Sequence, residues 1–279
     1  MGIINSSMSI AAGVRTIYGG RTADNFTVGH QRLAIWGQSN AIARGDQSEL
    51  SASPLSSDPD LADYMNGTIP FTRSYIWTGS SFAILTASNN GAATGQFGPE
   101  FGYAVRWERE TTGGNIYFTK AAVSGAPIGT TFGAGDPVYG YMYRSFRDVH
   151  RAAAAWMDAA GLSCERDDWL WIQGEADYQQ TQNYYQTKLS TLMAYRLADG
   201  LENSLSMRVL AKMKVGSLVW SQAVDDAKEA IAATDPTHIK TVRMDYYKSA
   251  GDAHQNARGV VQTAYDAFSA IHGRPTINT

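Results

Sequence analysis

Short apolar runs alternate with longer amphipathic stretches along this chain, and this alternation is the feature that most restricts its fold. The short runs have the length and the β-branched or aromatic content of buried strands, whereas the stretches between them carry apolar residues at helical spacing. Strands that cross over through helices into a parallel sheet produce this pattern. We therefore predict an α/β fold with a central, mostly parallel sheet.

The pattern can be divided into elements. The predicted strands are residues 32–36, 115–123, 169–172, 208–215 and 239–244, with hairpin or strand material at 76–86. The predicted helices are residues 100–110, 141–160, 181–198, 219–233 and 258–271. Residues 48–66, rich in Ser, Pro and Asp, are predicted to form a long surface loop, and residues 124–140 a second loop. Residues 1–29 are predicted to be an N-terminal arm or extra element, and residues 30–279 the main domain.

Composition excludes several classes of protein. The 279 residues are 44% hydrophobic, enough to bury one sizeable core, and the net charge of −3 lacks the basic excess typical of nucleic-acid binding. No apolar run is long enough for a membrane helix, so we expect no membrane partner. Residues 1–15 lack the pattern of a secretory signal, so we expect a protein that is cytoplasmic or exported by a route without a signal peptide. Cys164 is the only cysteine, which excludes an intrachain disulfide and a cysteine zinc site, and we expect no metal or other cofactor.

Four short polar segments follow predicted strand ends. They are GQSN at residues 37–40, GPE at 98–100, QGEAD at 173–177 and DAH at 252–254. In a parallel sheet, carboxyl ends of strands converge on one crevice, so these distant segments can assemble a single site. Ser39 is held there at the mouth of a helix but needs a base to act as a nucleophile, and taken alone it reads more simply as a helix cap.

The ordered set of segments resembles the blocks of the SGNH hydrolases, and more closely those of the sialate O-acetylesterase and acetylxylan esterase group, carbohydrate esterase family six. The resemblance covers roughly residues 31–259. It implies a three-layer α/β/α sandwich with a central sheet of about five parallel strands, and acyl ester hydrolysis as the activity.

The resemblance also implies roles for individual residues. Ser39 matches the family nucleophile and His254 the general base. The oxyanion donors map to the backbone N–H of Ser39, to Gly98 and to the side-chain amide of Gln173. Two further block residues, Gln38 and Asn40, are predicted to contact substrate, with turn stabilisation as the alternative.

The third member of the triad departs from the family pattern. The family's Asp lies three residues before the histidine, but that position is Gly251 here, and Asp252 is only two residues away. From a turn or loop Asp252 could still reach His254, whereas from a helix it would point elsewhere. Glu175 is the rival because some members of the group use this glutamate. Both carboxylates remain candidates, with a Ser-His dyad as a minor alternative.

The leading hypothesis is a serine esterase that removes a small acyl group, most simply acetyl, from a carbohydrate or polysaccharide through an acyl-enzyme. Five aromatic residues are predicted in loops at the crevice, where ring faces would suit sugars: Trp77, Phe132, Tyr139, Tyr141 and Tyr143. The alternatives are a carbohydrate-binding module that has lost catalysis, and a lipase or thioesterase of the wider superfamily.

Overall fold

The structure is a computed structural model that describes residues 16–17, 21–22, 25–52, 55, 58–91, 93–133, 140–248 and 252–278. Its strands are, in chain order, β1 Thr16–Ile17, β2 Arg21–Thr22, β3 Phe26–Val28, β4 Gln31–Gly37, β5 Gly45–Asp46, β6 Ser74–Trp77, β7 Phe82–Ile84, β8 Gln96–Phe97, β9 Thr111–Gly113, β10 Ile116–Ala122, β11 Arg166–Ile172, β12 Arg208–Lys212 and β13 Ile239–Arg243. Its α-helices are α1 Ser39–Ile42, α2 Pro59–Asn66, α3 Pro99–Glu110, α4 Ile128–Thr131, α5 Tyr141–Ala159, α6 Gln182–Ala198, α7 Gln222–Ala232 and α8 Ala257–His272.

A central sheet contains the strands in the order β13-β12-β11-β4-β10-β6-β7. Every neighbouring pair is parallel except β6 and β7, which are antiparallel. The predicted α/β class with a mostly parallel sheet is therefore confirmed. The described sheet has seven strands rather than about five because the hairpin β6–β7 adds two strands beside β10.

Helices cover both faces of this sheet. Leu33 of β4 is paired with Phe118 of β10, so these two side chains share a face, and Trp36 lies on the opposite one because side chains alternate along a strand. The Phe118 ring packs edge-on against Tyr103 of α3, and the Trp36 ring packs edge-on against Phe146 of α5. The molecule thus has the predicted three-layer α/β/α arrangement. None of the described helices is long and apolar enough to cross a lipid bilayer.

One predicted loop contains a helix. Within residues 48–66, α2 begins with Pro59 in its first turn, a position where proline costs no helical hydrogen bond. Leu61 and Met65, one turn apart, are both buried in the main core. The prediction of a continuous surface loop was wrong because the Ser, Pro and Asp content hid this short apolar stripe.

The end of the predicted N-terminal arm packs on the main domain. Strand β3 is parallel to β9, and the Phe26 ring lies 5.3 Å from the His272 ring of α8. The backbone N–H of Gly29 donates to Glu165 Oε2 at 2.9 Å. Most of residues 1–24 lie outside the described residues, so the division at residue 29 stays a prediction.

Candidate active site

The turn from β4 into α1 places Ser39 at the carboxyl edge of the sheet. Gly37 ends β4 with φ +150°, and a Cβ there would lie 1.9 Å from the carbonyl oxygen of Ile172, so only glycine fits this close approach to β11. The next amide, of Gln38, donates to the same carbonyl at 2.9 Å. Ser39 follows as the first residue of α1, where helical bonding leaves backbone N–H groups without a carbonyl partner.

His254 reaches Ser39 from the far end of the sequence. Its Nε2 lies 3.1 Å from Ser39 Oγ, although the two residues are 215 positions apart. The described residues around His254, 252–256, lie before α8 and are not helical. This distance is within the range expected of a nucleophile and its general base.

Asp252 holds the other side of His254. Its Oδ1 lies 3.1 Å from His254 Nδ1 and also accepts a 2.8 Å hydrogen bond from the backbone N–H of His254. Because these residues form a tight turn and not a helix, a carboxylate two residues before the histidine can contact its ring. The structure brings Ser39, His254 and Asp252 into one chain of contacts.

Glu175, the rival carboxylate, contacts Asn40 instead. Its Oε1 accepts a hydrogen bond from Asn40 Nδ2 at 2.5 Å, and its Oε2 is buried with no hydrogen-bond partner among the described residues. Asn40 also donates to the carbonyl of Ala253 at 2.9 Å and accepts from the backbone N–H of Gln255 at 3.1 Å. Glu175 is thus joined to the histidine segment through Asn40.

Burial shifts the pKa values of the ionisable groups here. The pKa of His254 lies below its usual value, because partial burial and the charge of Arg44 outweigh the opposing effect of Asp252. The pKa of Glu175 lies above its usual value because burial disfavours the carboxylate, although Asn40 and Lys228 counteract this. The direction of the His254 shift favours the neutral imidazole, the form in which a histidine acts as a general base.

The predicted oxyanion donor Gly98 lies against α1. A Cβ on Gly98 would approach the carbonyl oxygen of Ile42 to 2.9 Å and Glu100 Oε2 to 2.5 Å, so the site has room only for glycine. Its N–H donates to Glu100 Oε1 at 3.2 Å, and the same oxygen accepts from Lys120 Nζ at 2.8 Å. Burial raises the pKa of Glu100, and Lys120 opposes that shift.

The side-chain amide of Gln173 is fully buried and bonded within the protein. Its Nε2 donates to Asp177 Oδ2, to the Ala126 carbonyl at 3.1 Å and to Gln38 Oε1 at 3.4 Å. Its Oε1 accepts from Tyr185 Oη at 2.7 Å. An oxyanion role for Gln173 would need one of these donor bonds to be exchanged, and it stays a prediction.

The two predicted substrate contacts are also buried. Gln38 is 3% exposed and its Oε1 accepts from the backbone N–H of Ala176 at 3.3 Å, while Asn40 is 0% exposed. Both side chains therefore stabilise turns in this structure. Substrate contact by either one stays a prediction.

Lys228 of α7 supports the Gln173 turn, a role that was not predicted from the sequence. Its fully buried Nζ donates to the carbonyls of Gln173 at 2.7 Å and Ala211 at 2.6 Å. Burial lowers its pKa, with Asp225 as the largest opposing influence. A signal was present: Lys228 lies four residues after Val224 and three before Ile231, on the apolar face of the helix.

A cavity of about 160 Å³ lies beside α1 at the same edge of the sheet. Its wall includes Ile42, Trp77, Lys120 and Ala122. Ala122 pairs with Gly37, the residue at the end of β4, so this cavity flanks the Ser39 turn.

The five aromatic residues predicted at the crevice differ in where the structure places them. Trp77 lines the cavity, and Tyr141 is 54% exposed at the start of α5. Phe132 and Tyr143, at 1% and 3% exposure, are core residues, so their prediction as crevice residues was wrong. They were misplaced because loop position was equated with exposure, whereas large aromatic rings are strongly buried wherever the core is in reach. Tyr139 lies outside the described residues.

Among the described residues, no group of three or more His, Cys, Asp and Glu side chains is arranged to hold a metal ion.

Comparisons with known proteins agree with this architecture. A family model described as "SASA: Carbohydrate esterase, sialic acid-specific acetylesterase" matches residues 33–270. A crystal structure of a protein from Arabidopsis thaliana matches with a TM-score of 0.63 and 15% identity, over 87% of this chain and 98% of that one. A protein called NanS matches with a TM-score of 0.51 and 11% identity, over 88% and 97% of the two chains. No curated protein sequence matches this chain.

Proposed function

Because this chain belongs to the carbohydrate esterase family of sialic acid-specific acetylesterases, we propose that it hydrolyses O-acetyl esters of a carbohydrate through Ser39, His254 and Asp252. The observation that carries the proposal is the contact chain from Ser39 Oγ to His254 Nε2 and from His254 Nδ1 to Asp252, with both distances at 3.1 Å. This arrangement fits a Ser-His-acid triad.

The reaction proceeds in two halves. Ser39 Oγ attacks the ester carbonyl while His254 Nε2 takes its proton, and the tetrahedral intermediate collapses as His254 returns that proton to the departing sugar oxygen. This leaves acetyl on Ser39. A water molecule, deprotonated by His254, then attacks the acetyl group, and that proton goes back to Ser39 as acetic acid leaves and ionises to acetate in solution.

Asp252 stabilises the imidazolium that forms in each half. Its carboxylate accepts the Nδ1–H of His254, so that Nε2 is the nitrogen free to take the proton from Ser39. The lowered pKa of His254 keeps the free base available at neutral pH. Removal of such a positioned base typically costs about 10²- to 10⁴-fold in rate.

The oxyanion requires donors near Ser39. We assign the backbone N–H of Ser39, in the first turn of α1, as the donor best prepared for this role. Gly98 N–H and the Gln173 amide are further donors in the proposal, and each would exchange a protein acceptor for the oxyanion when substrate binds.

The proposal is tested by replacing the nucleophile. Ser39→Ala should reduce hydrolysis of p-nitrophenyl acetate, and acetate release from acetylated sialic acids, xylan and other polysaccharides, to background. Ser190→Ala, on the exposed surface of α6, is the matched control and should retain full activity. Undiminished turnover by Ser39→Ala would exclude the serine mechanism. In the wild type, sugar binding without any turnover would indicate a binding module, and preference for long acyl chains would indicate a lipase or thioesterase.

A further inference from the structure

The side chain of Asn40 contacts the residues on both sides of His254. Its Nδ2 donates to the Ala253 carbonyl at 2.9 Å, and its Oδ1 accepts from the Gln255 backbone N–H at 3.1 Å. Asn40 is also the residue directly after Ser39. One amide therefore ties the backbone that carries the base to the turn that carries the nucleophile.

The opposite side of the histidine segment is held by hydrogen bonds to residues 245–248, two of them between backbone groups and one from the Gln255 side chain to the Asp245 carbonyl. The N–H of Lys248 donates to the His254 carbonyl at 3.0 Å, and the N–H of Asn256 donates to the Tyr246 carbonyl at 3.0 Å. Apart from the contact of His254 with Ser39 itself, the hydrogen bonds of Asn40 are those that link the described residues of this segment to the β4–α1 turn, and they act on its backbone. Loss of that link would leave the base free to drift, and a shift of about 1 Å in a reacting group can cost about 10²-fold in rate.

Glu175 determines which way the Asn40 amide faces. Its Oε1 accepts from Asn40 Nδ2 at 2.5 Å, so the nitrogen must point toward Glu175 and the Ala253 carbonyl while the oxygen points toward Gln255. A flipped amide would present its oxygen to two acceptors and its nitrogen to a donor. Asn40 and Glu175 are 0% and 4% exposed, so water could not readily repair such a mismatch.

We propose that Asn40 and Glu175 are positioning residues that hold the His254 segment in register with Ser39, with Glu175 acting through Asn40 and not directly on the imidazole. The proposal rests on the proposed esterase function. It assigns the third-block glutamate a role distinct from that of Asp252, which contacts the His254 ring.

Four variants separate this role from the alternatives. Asn40→Ala removes both bonds to the histidine segment. Glu175→Ala removes the acceptor that orients Asn40, whereas Glu175→Gln keeps a side-chain oxygen in place of the carboxylate. Asn203→Ala is the matched control, because the Asn203 amide also bridges two backbone groups, the Glu165 carbonyl and the Leu205 N–H, at the opposite edge of the sheet.

We expect kcat for p-nitrophenyl acetate to fall by about 10- to 100-fold in Asn40→Ala and in Glu175→Ala, with KM little changed. Glu175→Gln should restore kcat to within about threefold of the wild type, because Glu175 acts by orienting Asn40 and not by its charge. For the same reason, the acidic limb of its pH–rate profile should coincide with that of the wild type. Glu175→Gln as impaired as Glu175→Ala, with a displaced acidic limb, would overturn the proposal in favour of a direct charge effect on His254.

Backbone hydrogen exchange provides a readout that does not depend on activity. The Gln255 amide should exchange faster in Asn40→Ala than in the wild type, and the Asn203→Ala control should leave it protected, at temperatures where all the variants are folded by thermal melting. Unchanged exchange at Gln255 in Asn40→Ala would overturn the positioning role. Failure of the esterase function would appear separately, as wild-type turnover that does not depend on Ser39.

Discussion

At the scale of single residues, the candidate site depends on how a short turn aims its side chains. Asp252 lies two residues before His254, yet its Oδ1 contacts both the ring Nδ1 at 3.1 Å and the backbone N–H at 2.8 Å. The second bond fixes the turn that makes the first possible. This geometry favours Asp252 over Glu175 as the carboxylate that orients the base.

The role of Asp252 leads to a prediction for the pH profile. Asp252 raises the pKa of His254 against the larger lowering effects of burial and Arg44. Removing its charge in Asp252→Asn should therefore lower that pKa further, and the acidic limb of the kcat/KM profile should move to lower pH. The plateau should fall by about 10²- to 10⁴-fold, because the asparagine no longer stabilises the imidazolium.

The measurement is a pH–rate profile of Asp252→Asn beside the wild type, whose own acidic limb should lie at lower pH than the titration of a free histidine side chain because burial and Arg44 lower the His254 pKa. Asn203→Ala again serves as the control. An Asp252→Asn profile that overlays the wild type in both position and height would rule out Asp252 as the orienting group.

The sequence allowed some contacts of the candidate site to be predicted and not others. The contact between Ser39 and His254 could be predicted because each residue lies in a block with a recognisable order. The choice between Asp252 and Glu175 could not be made, because both lie near the same strand ends and only the direction of each side chain separates them. The bridging of the histidine segment by Asn40 was equally hidden, since it depends on contacts across 215 positions of the chain.

At the scale of elements, the ends of β6 and β10 and the helix α1 form the cavity beside the Ser39 turn. Trp77, half-buried with its ring packed edge-on against Phe82 at 5.2 Å, is one of the residues in its wall, and aromatic faces suit the apolar faces of sugar rings. The volume of about 160 Å³ is small compared with typical ligand pockets of about 300 to 1,000 Å³, so it would hold a single ring or part of one.

This placement predicts a split between substrates. Trp77→Ala should raise KM for an acetylated carbohydrate by about 10-fold or more, corresponding to the loss of about 1.4 kcal/mol of binding, and should change KM for p-nitrophenyl acetate much less. Steady-state kinetics on both substrates, with Tyr195→Ala on the exposed surface of α6 as an aromatic control, measures the difference. Equal effects on both substrates would show that Trp77 does not contact the sugar.

Most elements could be predicted because their patterns are strong. The fully buried strand β4 and the long helices α5 and α6 lie close to their predicted bounds. Helix α2 was missed because its apolar face is short, with Leu61 and Met65 buried and Tyr64 partly buried against the core. Buried rings such as Phe132 were assigned to the crevice because a loop pattern does not reveal which way a side chain turns.

At the scale of the whole molecule, the parallel sheet is what makes the candidate site possible. Strands β4, β10 and β11 end side by side, with Gly37 paired to both Ala122 and Ile172. Blocks that follow these ends are thereby brought together from distant parts of the chain. The family match over residues 33–270 begins two residues inside β4 and ends two residues before the end of α8, so it covers nearly all of this sheet and of the helices packed on it.

The central claim is that Ser39 carries the acetyl group of a carbohydrate ester during turnover. The most direct measurement is acid quenching of the wild-type protein during hydrolysis of an O-acetylated carbohydrate, followed by mass spectrometry of its peptides. We predict one acetyl group per chain, on Ser39, that is lost as acetate when the substrate is exhausted. Acetate release with the acetyl group on another residue, or release at the same rate by Ser39→Ala, would contradict the account.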